Sequence, residues 1–113
     1  MAAPIIDPGT FAELQASAGA EFVDELIDTF LEEAPAMLDE LRDALAGEGA
    51  EPFRRAAHSL KSNANTFGAL TLGAMARDLE LGGLEAGRKA NALGALADEY
   101  ARASAALQGL RRA

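Results

Sequence analysis

The apolar residues of this chain recur at intervals of three and four positions almost from end to end, which is the spacing of one face of an α-helix. The clearest stripe starts just after Ala20. Its members are Val23, Leu26, Ile27, Phe30, Ala34, Met37, Leu38, Leu41 and Leu45. No segment alternates between apolar and polar residues as a half-buried strand would. The pattern therefore predicts an all-α protein.

Prolines and glycines mark where the first helices begin and end. Asp7 and Pro8 suit the N-cap and first turn of a short helix over about residues 8–17. The long stripe described above belongs to a second helix, which Gly47 is expected to end. Pro35 lies inside that stripe, and we expect a kink or a break there because proline removes a helical hydrogen bond.

Three further helices are predicted in the second half of the chain. One opens near Pro52 and ends at Gly68, a residue suited to a helix C-cap. The next covers about residues 71–86, and the last covers about residues 89–110. Four long amphipathic helices with short connections predict an antiparallel up-down four-helix bundle.

The length of the chain fits one domain. With 113 residues, we expect a single domain over residues 1–113. The bundle core is assigned to about residues 20–110, and the short helix of about residues 8–17 caps it. Monomer is the default expectation, since no unusual apolar surface stripe is evident in the sequence.

Composition narrows the possible functions. There is no cysteine, so disulfides, thiolate metal sites and a thiol nucleophile are excluded. No apolar run approaches the roughly 20 residues that span a bilayer. The first residues lack the basic and then apolar segments of a signal peptide. We therefore expect a cytoplasmic protein.

Charge is distributed unevenly along the chain. Residues 1–52 contain 13 acidic and one basic side chain, whereas residues 53–113 contain 5 acidic and 9 basic ones, for a net charge of −8. A solvated helix face accounts for most of the acidic half. Because no basic tract is present, nucleic acids and anionic membranes are not expected partners.

His58, the only histidine, is the strongest candidate for chemistry. In an α-helix, where successive residues are rotated by about 100°, His58 would lie among polar residues and opposite Phe53 and Leu60. The polar neighbours are Arg54, Arg55, Lys61, Ser62 and Asn65. A lone histidine on a helix is usually an ordinary surface residue. With a lysine one turn away, however, an imidazole on such a face can accept and hold an anion.

The segment from Pro52 to Ala69 resembles the histidine-containing phosphotransfer (HPt) domain of two-component phosphorelays. The family signature is a histidine followed by leucine at +2, lysine at +3, a small residue at +4 and glycine at +10. These residues are His58, Leu60, Lys61, Ser62 and Gly68. The preceding helix, with its internal proline, is also similar to that of the family, and the resemblance extends over about residues 8–110.

The resemblance implies a phosphoryl carrier and not an autonomous kinase. His58 would take a phosphoryl group from an aspartyl phosphate of one receiver domain and pass it to the aspartate of another. Lys61 would neutralise the phosphoryl oxygens, and the small Ser62 would let the receiver approach. The partners implied are receiver domains of response regulators and hybrid histidine kinases. No cofactor is expected in this chain, because the receiver would bring the magnesium ion.

Supporting roles are expected for further polar residues of the same helix. Asn65 is a candidate to hydrogen-bond the imidazole or the phosphoryl group, and Arg54 and Arg55 to add positive potential. Asn63 falls toward the core, where we expect a hydrogen bond to another helix. By spacing, Glu80 stands where some family members carry a glutamine against the histidine, so the group that orients the imidazole is left open.

Two alternatives remain at the level of the sequence. Phe11 and Leu14 either join an apolar docking patch for the receiver or pack onto the bundle. The whole chain could also be a non-catalytic helical adaptor that binds a receiver or kinase domain without carrying phosphate. Adaptors of that kind typically lack the histidine or the lysine, whereas this chain has both.

Overall fold

A computed structural model describes residues 4–111, which form five α-helices joined by short turns. The helices are α1 (Pro8–Ala18), α2 (Ala20–Ala46), α3 (Ala50–Phe67), α4 (Leu70–Gly87) and α5 (Ala92–Leu110). No strand occurs within residues 4–111, so the predicted all-α class is confirmed. None of these helices is both long enough and apolar enough to cross a membrane.

The four long helices enclose one core. Helix α3 packs against both α2 and α4, α5 packs against α4 and α2, and α1 lies across α2 and α3. Aromatic rings fill the centre, where the ring centroid of Phe30 lies 5.4 Å from that of Phe67 and 5.9 Å from that of Tyr100. The largest fully buried side chains are Phe30, Phe53, Ile27, Leu41, Leu60, Leu72, Leu96, Leu107 and Val23.

Helix α2 continues through Pro35, so the predicted break is wrong. Proline lacks an N–H group and crowds the carbonyl one turn earlier. Here Pro35 lies on the exposed side of α2, while the adjacent Ala34 is fully buried in the core. Backbone groups freed on a solvent-facing side can bond to water, and the buried stripe stabilises the helix on both sides of the proline.

The C-cap predicted at Gly68 is confirmed. Gly68 has a φ of 88° in the left-handed region, where glycine pays no Cβ penalty. A Cβ atom at this position would also lie only 2.9 Å from the carbonyl oxygen of Asp7. The Asp7 N–H donates to the Gly68 carbonyl over 2.8 Å, so this turn joins the start of α1 to the end of α3.

Two helix boundaries differ from the sequence prediction. Helix α3 begins at Ala50, two residues before Pro52, which is compatible with proline because the N–H groups of a first helical turn have no intrahelical partner. Helix α5 begins at Ala92 and not near residue 89, after Asn91 adopts a left-handed φ of 60°.

Candidate functional site

His58 lies near the middle of α3, on the side of that helix that faces solvent. Ala57 and Leu60 on the inner side are fully buried, which fixes the rotation of the helix about its axis. The His58 side chain is left 54% exposed. A macromolecular partner can therefore reach the imidazole, as the polar face of the sequence pattern predicted.

Glu80 of α4 holds the imidazole. Its Oε2 atom lies 2.8 Å from the Nδ1 atom of His58. The pKa of the Glu80 carboxyl lies below its ordinary value, first because of the hydrogen bond from Lys61 and then because of the one from His58. An ionised carboxylate only accepts hydrogen bonds, so we assign the proton of the neutral ring to Nδ1. The lone pair of the ring then belongs to Nε2, on the other side of the imidazole.

Lys61 shares the same carboxylate. Its Nζ atom lies 2.7 Å from the Oε1 atom of Glu80, and its side chain is 24% exposed. One acidic side chain thus contacts the candidate nucleophile and the candidate cation at the same time. The site is a compact triad of His58, Lys61 and Glu80 on two neighbouring helices.

The close packing of α3 and α4 brings these residues together. Along the antiparallel pair, Phe53 faces Gly87, His58 faces Glu80, and the amide of Asn65 faces Gly73. Gly73 and Glu80 are seven residues apart within the regular part of α4, so they share one face of it. Gly87 follows a break in the helix at Gly83, where φ is 66° and ψ is −153°. The two glycines allow the helices to approach on either side of Glu80, since a Cβ atom on Gly87 would lie 2.7 Å from the Phe53 ring.

The two arginines take different positions. The guanidinium of Arg54 binds both carboxylate oxygens of Glu51 at 2.6 and 3.1 Å, so it is held by an exposed ion pair on its own helix. Its charge also acts on Glu80. Arg55 lines an open groove of about 400 Å³ between α2 and α3, together with Glu40. Positive potential at the site therefore comes from Lys61 directly and from Arg54 at longer range.

Ser62 is exposed and lies one turn after His58. A serine adds little bulk beyond the backbone. Ser62 therefore leaves space beside the imidazole, on the side of His58 that lies toward Gly68. The motif has a small residue at this position.

The two asparagines do not take the expected places. The Asn63 amide donates to the Ser59 carbonyl of its own helix over 2.8 Å, so the predicted bond to another helix is wrong. Asparagine side chains often bond back to the preceding turn in this way. The Asn65 amide packs against Gly73 of α4. It lies two helical turns, about 10 Å, along the axis from His58, so it is out of reach of the imidazole.

Of the two alternatives for the capping helix, packing onto the bundle describes Phe11. That ring is only 5% exposed, and Leu14 is partly buried against the same core. A buried ring offers no surface to a docking partner. Phe22 on α2, which lies outside the predicted apolar stripe, is 51% exposed instead.

Together, these features define a helical protein that presents one histidine, oriented by a carboxylate and flanked by a lysine, on an exposed helix face. The sequence model of the Hpt domain family matches residues 25–111, and the chain belongs to that family. The family assignment made from the motif around His58 is thereby confirmed.

A solved relative has the same fold over nearly its whole length. The crystal structure of histidine-containing phosphotransfer protein B (HptB) from Pseudomonas aeruginosa PAO1 superposes with a TM-score of 0.83. The two chains are 27% identical, and the match covers 97% of this chain and 96% of that one. No match was found among curated proteins.

Proposed function

We propose that this chain is a histidine phosphotransfer protein that shuttles a phosphoryl group between aspartates of receiver domains through a phosphohistidine at His58. Membership of the Hpt family supports a role in a phosphorelay. One observation carries the finer assignment. The Nδ1 atom of His58 is held by Glu80 at 2.8 Å, which directs the unprotonated Nε2 atom away from α4.

The proposed transfer is a displacement at phosphorus. The Nε2 lone pair attacks the phosphoryl group of a receiver aspartyl phosphate, and the bond between phosphorus and the aspartate oxygen breaks. The electrons of that bond leave on the aspartate carboxylate. Such transfers depend on positioning and charge neutralisation, which Lys61 supplies from this chain and a receiver-bound magnesium ion supplies from the partner.

In this proposal the chain is a carrier and not an enzyme. Its partners are receiver domains of response regulators and hybrid histidine kinases, and it meets them as a cytoplasmic monomer. The helices form an antiparallel up-down four-helix bundle, which α1 caps. Docking requires open space beside the imidazole, and the exposed Ser62 is consistent with that requirement.

The test is transfer of radiolabel from a phosphorylated receiver domain to the wild-type chain and to His58→Gln. Label that is lost in acid and kept in base is typical of a phosphorus–nitrogen bond, and His58 is the only histidine, so loss of that label in His58→Gln assigns it to this residue. We expect label on the wild type and none on the folded His58→Gln variant. Equal labelling of both proteins would refute the proposal. Binding to receivers with no labelling from any of them would favour the non-catalytic adaptor.

A further inference from the structure

Glu80 differs from an uncharged orienting group because it brings a full negative charge to the protonated side of the imidazole. Its side chain is only 12% exposed, while the ring it contacts is open to solvent. A charge-assisted hydrogen bond is about twice as strong as a neutral one. Glu80 therefore does more than select the tautomer, since it stabilises whichever state of the ring carries positive charge.

We infer that the carboxylate of Glu80 makes the phosphoryl group on His58 labile, by keeping the proton on Nδ1 while Nε2 carries the phosphoryl group. This inference rests on the proposed function. It assigns Glu80 as the positioning residue that sets how long the phosphohistidine lasts and how readily it donates to the next receiver.

The chemistry follows from the charge of the leaving group. With Nδ1 protonated, the phosphorylated ring is a cation, and cleavage of the bond between Nε2 and phosphorus returns its electron pair to Nε2. The product is the neutral ring with its proton still on Nδ1, and a receiver aspartate oxygen forms the new bond to phosphorus. If Nδ1 had lost its proton, the same cleavage would expel an anionic imidazolate, which is a far poorer leaving group.

The surrounding charges support this assignment. Helix α3 contributes Lys61 and Arg54, the latter paired with Glu51. Helix α2 contributes three carboxylates that line grooves together with Ser59, namely Glu32, Glu33 and Glu40. Helix α1 meets α3 at Gly68, ten residues from the histidine. Glu80 is thus the anion in contact with the ring. When Lys61 turns toward the phosphoryl oxygens, the Nδ1–H group becomes the principal partner of the carboxylate.

The test measures the lifetime of the phosphohistidine without a receiver. The wild type and Glu80→Gln are phosphorylated with phosphoramidate, a small phosphoryl donor, and loss of phosphate is followed by phosphorus NMR across a range of pH. Glutamine keeps the shape and can still accept from Nδ1–H, but it removes the charge. Glu85→Gln, an exposed site on the same helix, is the matched control for net charge.

We expect Glu80→Gln to lengthen the lifetime roughly fivefold at neutral pH. The two lifetimes should converge in acid, where solvent protonates the ring in both proteins, and Glu85→Gln should match the wild type. Equal lifetimes at neutral pH, a shorter lifetime in Glu80→Gln, or the same change in Glu85→Gln would overturn the inference. Failure of every receiver to label the wild type would instead contradict the proposed function, so the two failures are distinguishable.

Discussion

Substitution of Gly87 by alanine tests the helix contact that positions Glu80. Gly87 is the buried last residue of α4, and its missing Cβ leaves room for the Phe53 ring. An added Cβ would lie 2.7 Å from the Cζ atom and 2.9 Å from the Cε2 atom of that ring. Phe53 is fully buried, so the ring cannot move away without disturbing the core.

The expected cost of Gly87→Ala is that of overpacking a core, about 1–3 kcal/mol in the free energy of unfolding. The higher helix propensity of alanine offsets little of it, because propensity acts mainly in helix interiors and Gly87 is the last residue of its helix. For a domain of this size, each kcal/mol lowers Tm by about 4 °C. Thermal unfolding followed by circular dichroism should therefore show a decrease of about 4–12 °C.

Gly73→Ala is the matched control, because it adds the same atom to α4 at another close contact with α3. There the three atoms nearest the new Cβ all belong to the amide end of Asn65, an exposed and rotatable side chain. Movement of that amide removes the overlap, and alanine in a helix interior gains up to about 1 kcal/mol over glycine. Gly73→Ala should stay close to wild-type stability. A Gly87→Ala protein as stable as the wild type, or no more affected than Gly73→Ala, would refute the close-packing argument.

Three further predictions concern charge and access at the surface. Lys61→Ala should slow phosphoryl transfer from a receiver by about tenfold or more without unfolding the bundle, because it removes the cation beside the phosphoryl group; unchanged rates in rapid-quench kinetics would remove Lys61 from the site. Ser62→Gln should weaken receiver binding by steric overlap, and an unchanged Kd in calorimetry would contradict it. The pKa of Asp28 lies below its ordinary value of 3.8 because of its hydrogen bond with Arg111. The pair therefore stabilises the fold above pH 3.8, and this stabilisation is lost as the pH falls through the lowered pKa. The decrease in Tm between pH 7 and pH 3 should therefore be smaller for Asp28→Asn than for the wild type. An equal decrease in the two proteins would argue against a stabilising pair.

The sequence allows the fold class and the exposure of the candidate nucleophile to be predicted because both depend on local patterns. Apolar residues at helical spacing determine which side of α3 is buried, and that burial leaves His58 exposed. The Gly68 cap follows from a backbone conformation that glycine adopts most easily. Proline was a less reliable guide, since the long apolar stripe of α2 outweighs the local effect of Pro35.

The partners of the histidine depend on packing between helices, which periodicity does not define. Glu80 could be placed opposite His58 by its spacing, but the contact depends on how closely α3 and α4 approach. A helical projection also gives angles and ignores distance along the axis. It therefore placed Asn65 beside His58, although two turns of helix separate them.

The most direct test of the carrier role is a chase experiment. Wild-type chain labelled by one receiver domain is purified and mixed with a second, unlabelled receiver, and the label on both proteins is followed over time. The carrier role predicts that the label leaves His58 at the rate at which it appears as acid-stable, base-labile aspartyl phosphate on the receiver. Label that stays on the chain, or that leaves only as inorganic phosphate with every receiver, would contradict it.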